Sequence, residues 1–228
     1  MQRLTVIDET SDNATEIDSQ VDEPLAQAKI LLVEDDPALR LVLRNVLEMN
    51  DYTILEADSK ASAEIILKED PNIAALVLDL GLPPSPHTTT EGLAVIKMIV
   101  AQFYRAKIVV LTGQDEESAA LAAIKEGAFD FLSKPSRSED ILNAVQRAVL
   151  FFRKERTLED EQGLTRLQIN AKVSDGLKAV REEAEEKLVR HVLKDTQFNV
   201  YQSAARLGLK RESIYYFLKK FGIKRDDG

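Results

Sequence analysis

The sequence predicts an α/β fold: a five-stranded, doubly wound parallel sheet, followed by a second, small all-α helix-turn-helix domain. Three observations predict it. Five short apolar runs alternate with helical stretches from Lys29 onward. Those runs stop, one after another, at polar side chains. After residue 178 the pattern changes to three short helical blocks with a basic end.

The runs 29–35, 52–57, 73–79, 107–112 and 129–133 are short, apolar and often β-branched, which reads as strands. Helical stretches separate or follow them at 37–50, 59–69, 91–102, 116–126 and 138–156. Pro37 suits the first turn of the first helix. Ser138, followed by Glu139 and Asp140, offers the fifth helix an N-cap and an acidic first turn. Strict βα alternation implies parallel strands with helices on both faces.

In the fifth helix, Ile141, Val145, Ala148, Val149 and Phe152 form one apolar stripe. Its helical composition continues to Gly163, so it runs past the domain edge, where Phe151 and Phe152 suit a linker or self-association helix. The expected organisation is a disordered acidic tail at 1–28, a first domain at 29–150, a helical linker at 151–178 and a second, small helical domain at 179–228. In the last block Asn199 is placed to cap the second helix. Gly208 supplies a permissive backbone for the turn before the third.

Composition narrows the chemistry. With no Cys, the chain has no disulfide, thiolate metal site or Cys nucleophile, which suits a reducing cytosol. Its two His lie far apart, at 87 and 191, so a His-built metal site is not expected. No apolar run approaches the roughly 18 residues of a membrane span, and the polar, acidic start is unlike a signal peptide. The expectation is a cytoplasmic protein with no membrane partner. The net charge of −9 conceals an asymmetry: residues 1–28 hold seven acids against one base, and residues 199–228 hold seven bases against three acids. A basic end on an acidic chain is the charge footprint of a DNA-binding module.

Asp35, Asp36, Asp79, Thr112 and Lys134 each stand where an apolar run ends. If the runs are neighbouring parallel strands, all five gather at the sheet edge where open α/β folds bind and react. Carboxylates, a hydroxyl and an ammonium suit a hard cation and a phosphoryl group. Asp79 can accept the phosphoryl group, since aspartyl phosphates are known covalent intermediates. Asp35, Asp36 and Asp79 can hold Mg²⁺. Lys134 can neutralise phosphoryl oxygens, and the Thr112 hydroxyl can hydrogen-bond one.

The motifs LLVEDD, LVLDLGLP, VVLTG and FDFLSKP make residues 29–150 resemble the receiver domain of two-component response regulators. The resemblance implies a flavodoxin-like fold, with Asp79 as phosphoacceptor. It makes Asp36 a direct metal ligand, Asp35 a second ligand partly through water, and the Gly81 carbonyl a further one. Thr112 and Lys134 take the switch and phosphate-binding roles, and Phe131 falls at the aromatic switch position. One departure is PSPHTTT, which lengthens the connection between Leu82-Pro83 and Glu91-Gly92 by about five residues. A loop beside Asp79 could tune kinase choice or phosphate lifetime.

The last block resembles the Fis-type helix-turn-helix through Asn199, Ala204-Ala205, Leu207-Gly208 and the stretch Leu218 to Gly222. Ala204 and Ala205 would let two helices approach, with Leu207, Leu209, Ile214 and Leu218 as the small core. The resemblance places Lys210, Arg211, Ser213, Tyr215 and Tyr216 against DNA, with Lys219, Lys220 and Lys224 near phosphates. Arg211 is the candidate for bidentate guanine reading. No G-x-x-x-x-G-K-[ST] phosphate loop separates the two regions, so the ATPase of full nitrogen-control regulators is not expected.

Together these features predict a DNA-binding response regulator that is not an enzyme. It would be phosphorylated on Asp79 by a sensor histidine kinase with Mg²⁺, and would act on double-stranded DNA as a homodimer once activated. The alternative is a phospho-switch adaptor or phosphate sink, acting by protein contacts through a dimerising C-terminal module.

Overall fold

The computed structural model describes residues 27–225, except 103, 114–115, 168, 170–173 and 175. The expected tail lies outside the described residues, apart from Gln27 and Ala28. In order, the chain forms β1 (Lys29–Val33), α1 (Pro37–Glu48), β2 (Thr53–Ala57), α2 (Lys60–Glu69), β3 (Ile73–Leu78), α3 (Thr90–Ala101), β4 (Lys107–Thr112), α4 (Glu116–Glu126), β5 (Asp130–Ser133) and α5 (Ser138–Gln162). Three helices follow: α6 (Gly176–Asp195), α7 (Val200–Arg206) and α8 (Arg211–Lys220). No helix among the described residues is long and apolar enough to cross a membrane.

The strands are parallel, in the order β2-β1-β3-β4-β5. Alternation within each strand divides the core in two. Leu31, Val33, Leu76, Leu78, Ile108 and Val110 face the side covered by α2, α3 and α4. Ile30, Leu32, Ala75, Val77, Val109 and Leu111 face α1 and α5. Burial on both faces is why these strands read as continuous apolar runs. All six residues of the central β3 are buried, and each large one contributes about 1.5–3 kcal/mol. The order reverses between β1 and β3. Their carboxyl ends therefore open onto the crevice where such sheets place a site.

The apolar stripe of α5 packs as expected, with Ile141, Val145, Ala148, Val149 and Phe152 all buried in the second core. Ser138 is a correction: it is the first helical residue, while Arg137 occupies the cap position without a side-chain cap and pairs instead with Asp140. The helix continues unbroken to Gln162. Phe151 lies against Phe129, centroids 5.3 Å apart, with Lys107 and Arg166 over its ring.

The last three helices enclose their own core of Val189, Leu193, Ala204, Ile214 and Ile223, flanked by Leu207, Phe217, Leu218 and Phe221. Asn199 caps α7, its side chain accepting from the Gln202 amide at 3.1 Å. Gly208 turns the chain at φ +63°. Leu209 does not join this core: it is exposed, because it falls in the turn after Gly208.

Candidate phosphoacceptor and nucleic-acid sites

The backbone ladder runs past the strand ends and fixes each candidate residue. Glu34, directly after β1, donates its amide to the Ala57 carbonyl at 3.1 Å. Asp79, directly after β3, donates to the Val33 carbonyl at 2.9 Å. Thr112 closes β4 and is fully buried. Lys134, directly after β5, donates its amide to the Thr112 carbonyl at 2.9 Å. Residues far apart in sequence thus meet because each occupies the same height on a parallel sheet.

Lys134 Nζ lies 2.7 Å from a Glu34 oxygen and 3.0 Å from an Asp79 oxygen. Glu34, Asp35 and Asp79 each present a carboxylate oxygen, and these lie within 4.8 Å of one another. Burial raises the pKa of Glu34 above the usual carboxylate value, against the pull of Lys134. For Lys134 burial opposes the charge, but its hydrogen bond to Glu34 and the charge of Asp79 prevail and raise its pKa. Burial dominates the carboxylate, while an ammonium shared by two acids is held charged.

The expected carboxylate pair is displaced by one residue. Asp36 is not in the cluster. Its carboxylate caps α1, accepting from the amides of Ala38 at 2.8 Å and Leu39 at 3.3 Å. Glu34 takes its place in the cluster. Pro37 carries the missed signal: a proline in the first helical turn makes the preceding residue the N-cap, and Asp is among the preferred caps.

Gly81 is buried on the connection after β3, two residues beyond Asp79. Phe131 is half-buried on β5, in register with Val110 and packed against the first core. The lengthened loop forms a local turn: the Ser85 amide donates to the Leu82 carbonyl at 3.2 Å, and both the amide and the hydroxyl of Thr88 donate to the Ser85 carbonyl. His87 is exposed. Gly92, in the first turn of α3 just after the loop, donates its amide to the Leu80 carbonyl at 3.3 Å. A Cβ on Gly92 would lie 2.3 Å from the Leu80 Cα, one residue from Asp79.

At the other end of the chain Lys210, Arg211, Tyr215, Tyr216 and Lys219 are exposed, and Ser213 is half-buried. Lys224 is also exposed. Lys220 is drawn back onto α6, 3.3 Å from Glu185 and 3.7 Å from Glu182. Ile214 and Leu218 turn the opposite face of α8 into the core.

Comparison with known proteins matches residues 30–146 to the response regulator receiver domain and residues 180–221 to bacterial regulatory proteins of the Fis family. Response regulator MprA of Mycobacterium ulcerans is 37% identical over 135 residues, covering 59% of this chain and 53% of MprA. Chemotaxis protein CheY of Listeria monocytogenes is 28% identical over 123 residues, covering 53% of this chain and 97% of CheY. The crystal structure of a response regulator receiver domain protein from Clostridium thermocellum is similar at a TM-score of 0.51 and 26% identity, covering 56% of this chain and 98% of that one. The chain spans about half the length of the first curated relatives it matches.

Proposed function

Since this chain belongs to the response regulator receiver family and carries a Fis-family helix-turn-helix, we propose that it is a cytoplasmic, phosphorylation-dependent DNA-binding regulator of a two-component system. The observation that carries the reading is the contact of Lys134 with Asp79 and Glu34, with Asp35 beside them, at the strand-order reversal. Residues 29–150 act as the receiver, 151–178 as a linker containing the end of α5, and 179–228 as the DNA-binding unit.

A sensor histidine kinase supplies the phosphoryl group. An Asp79 oxygen forms the new P–O bond as the P–N bond to the kinase imidazole breaks. The donor set fits Mg²⁺, because Glu34, Asp35 and Asp79 offer oxygen ligands only. The Gly81 carbonyl is a further candidate ligand. Bound there, Mg²⁺ supplies charge neutralisation at the phosphoryl oxygens. Lys134 keeps its ammonium on Asp79 and moves with it onto the phosphoryl group. Thr112 donates its hydroxyl to a phosphoryl oxygen, and Phe131, next to the β4 ladder, changes rotamer in response.

On DNA, Arg211 at the start of α8 reads a base edge, Lys210, Ser213, Tyr215 and Tyr216 contact the duplex beside it, and Lys219 meets a phosphate. Lys220 must leave Glu182 and Glu185 to join it. Two copies bind together, as paired half-sites require. The protein works as a switch rather than as an enzyme.

The test has two arms. Incubation with a small acyl phosphate and Mg²⁺ should add one phosphoryl group to the wild type and none to Asp79→Asn, read by intact mass. Affinity for a random-sequence duplex should fall steeply with salt. Absence of binding at low salt in both phosphorylation states would overturn the DNA-binding reading in favour of an adaptor.

A further inference from the structure

The exposed face of α8 is not uniformly basic. Ile214, Phe217, Leu218 and Phe221 pack toward the core, which leaves Arg211, Glu212, Tyr215, Tyr216 and Lys219 exposed along the other side. Their spacing of i, i+1, i+4, i+5 and i+8 makes one continuous stripe on a helix. Its charges stand at the two ends, Arg211 and Glu212 in the first turn and Lys219 in the last. Lys220 adds nothing to the stripe, because Glu185 and Glu182 hold it at 3.3 Å and 3.7 Å. The middle of the stripe is two adjacent tyrosines, 61% and 60% exposed.

Tyr216 is exposed yet braced. Its ring meets that of Phe217 edge-on, with centroids 5.3 Å apart at 67°. Phe217 stacks in turn on Phe221, at 5.7 Å and 9°, against the core. A ring held in this way loses little freedom on meeting a partner, and a tyrosine has only two side-chain torsions to fix.

The chemistry of a duplex decides what these rings can meet. The amino-terminal half of a reading helix faces base edges in the major groove. The faces of paired bases are covered by their neighbours, so the ring-on-base stacking used with single strands is closed to Tyr215 and Tyr216. The edges remain, and the apolar group they offer is the C5-methyl of thymine. A phosphate contact through a tyrosine hydroxyl carries no sequence information, and the carboxylate of Glu212 repels phosphate at the first turn. Tyr215 lies four residues beyond Arg211. That is about 6 Å along the helix axis, or about two base pairs at roughly 3.4 Å per step.

Resting on the DNA-binding reading above, we propose that Tyr215 and Tyr216 determine specificity by reading thymine methyl groups in the major groove, about two base pairs from the guanine met by Arg211. The rings carry the preference, not the hydroxyls.

Replacing thymine by uracil deletes the methyl group and keeps every hydrogen-bonding group, so it isolates this contact. Full-length protein treated with a small acyl phosphate and Mg²⁺ selects its preferred duplex from a random pool, and each thymine of that duplex is then replaced singly by uracil. Fluorescence anisotropy gives the affinities of wild type, Tyr215→Ala, Tyr216→Ala, Tyr215→Phe, Tyr216→Phe and Lys219→Gln. Wild type should lose about fourfold at one or two thymines, the effect of leaving one methyl-sized apolar group in water. Each alanine variant should bind the selected duplex more weakly and become indifferent to one of these replacements. The phenylalanine variants should keep the wild-type pattern. Lys219→Gln should keep it too while binding every duplex less tightly. The wild-type measurements depend on no variant folding. A wild type indifferent to uracil at every position, or alanine variants that retain the full uracil effect, overturns the proposal. Phenylalanine variants that lose the effect give the role to the hydroxyls and overturn it as well. Specific binding without methyl dependence removes this proposal alone, whereas a wild type that binds no duplex in either phosphorylation state removes the DNA-binding reading and this one with it.

Discussion

The ammonium of Lys134 lies 3.0 Å from the carboxylate of Asp79, although 54 residues of chain separate them. It shares that position with Glu34, so one cation serves two acids that are mostly shielded from water.

Lys134→Met removes this cation. The two acids then repel one another in a site largely shielded from water, at a cost of about 1–3 kcal/mol near neutral pH. The wild-type receiver should melt higher than Lys134→Met without metal, and Mg²⁺ should raise the variant's melting temperature by more than it raises the wild type's. Calorimetry with and without Mg²⁺ checks this. Equal Mg²⁺ effects in the two proteins contradict a shared site.

Asp36 and Glu34 separate cap from ligand. Asp36→Ala should lower stability by about 0.5–2 kcal/mol through loss of the cap and leave Mg²⁺ affinity nearly intact. Glu34→Gln should weaken Mg²⁺ by about tenfold or more through loss of a carboxylate charge. Titration calorimetry on both variants distinguishes them. A metal-blind Asp36→Ala with a metal-competent Glu34→Gln would return the role to Asp36.

Gly92→Ala places a methyl group against the Leu80 backbone. Backbone yields less readily than a side chain, so the change should cost about 1–3 kcal/mol. Because Leu80 follows Asp79 directly, autophosphorylation from a small acyl phosphate should slow as well. Denaturant melts and time-resolved intact mass measure the two effects. A stable variant with a wild-type rate shows that the loop absorbs the methyl group.

On DNA, Lys219→Gln should reduce the salt slope of binding by about one, uniformly across sequences. Arg211→Ala should instead relax sequence preference, at a cost of about 1–3 kcal/mol on the preferred site. Selection of bound sequences from a random pool, followed by salt titration, reads both. If Arg211→Ala selects the wild-type sequences, Arg211 is a phosphate contact.

Much of this was legible along the chain. Strand and helix positions followed from apolar periodicity, because burial on both faces of a parallel sheet leaves continuous apolar runs, as in Ile73–Leu78. The apolar stripe of α5 and the Asn199 cap were legible for the same reason: each depends on spacing within a few residues. Ser138 and Leu209 were misjudged by one or two positions, since a helix end and a turn are set by backbone geometry that composition only biases.

Local pattern therefore determined the elements, the sheet, and the gathering of Asp79, Thr112 and Lys134 at one edge, since parallel strands of similar length must end together. Which carboxylates meet was settled in three dimensions. Asp36 turned into the first turn of α1 to satisfy its amides, and Glu34 was left to face Lys134. The ion pairs of Arg105 with Glu159 and Asp195 have no sequence signature at all, because their members belong to separate elements and are joined only by how α5, the connection after α3, and α6 pack.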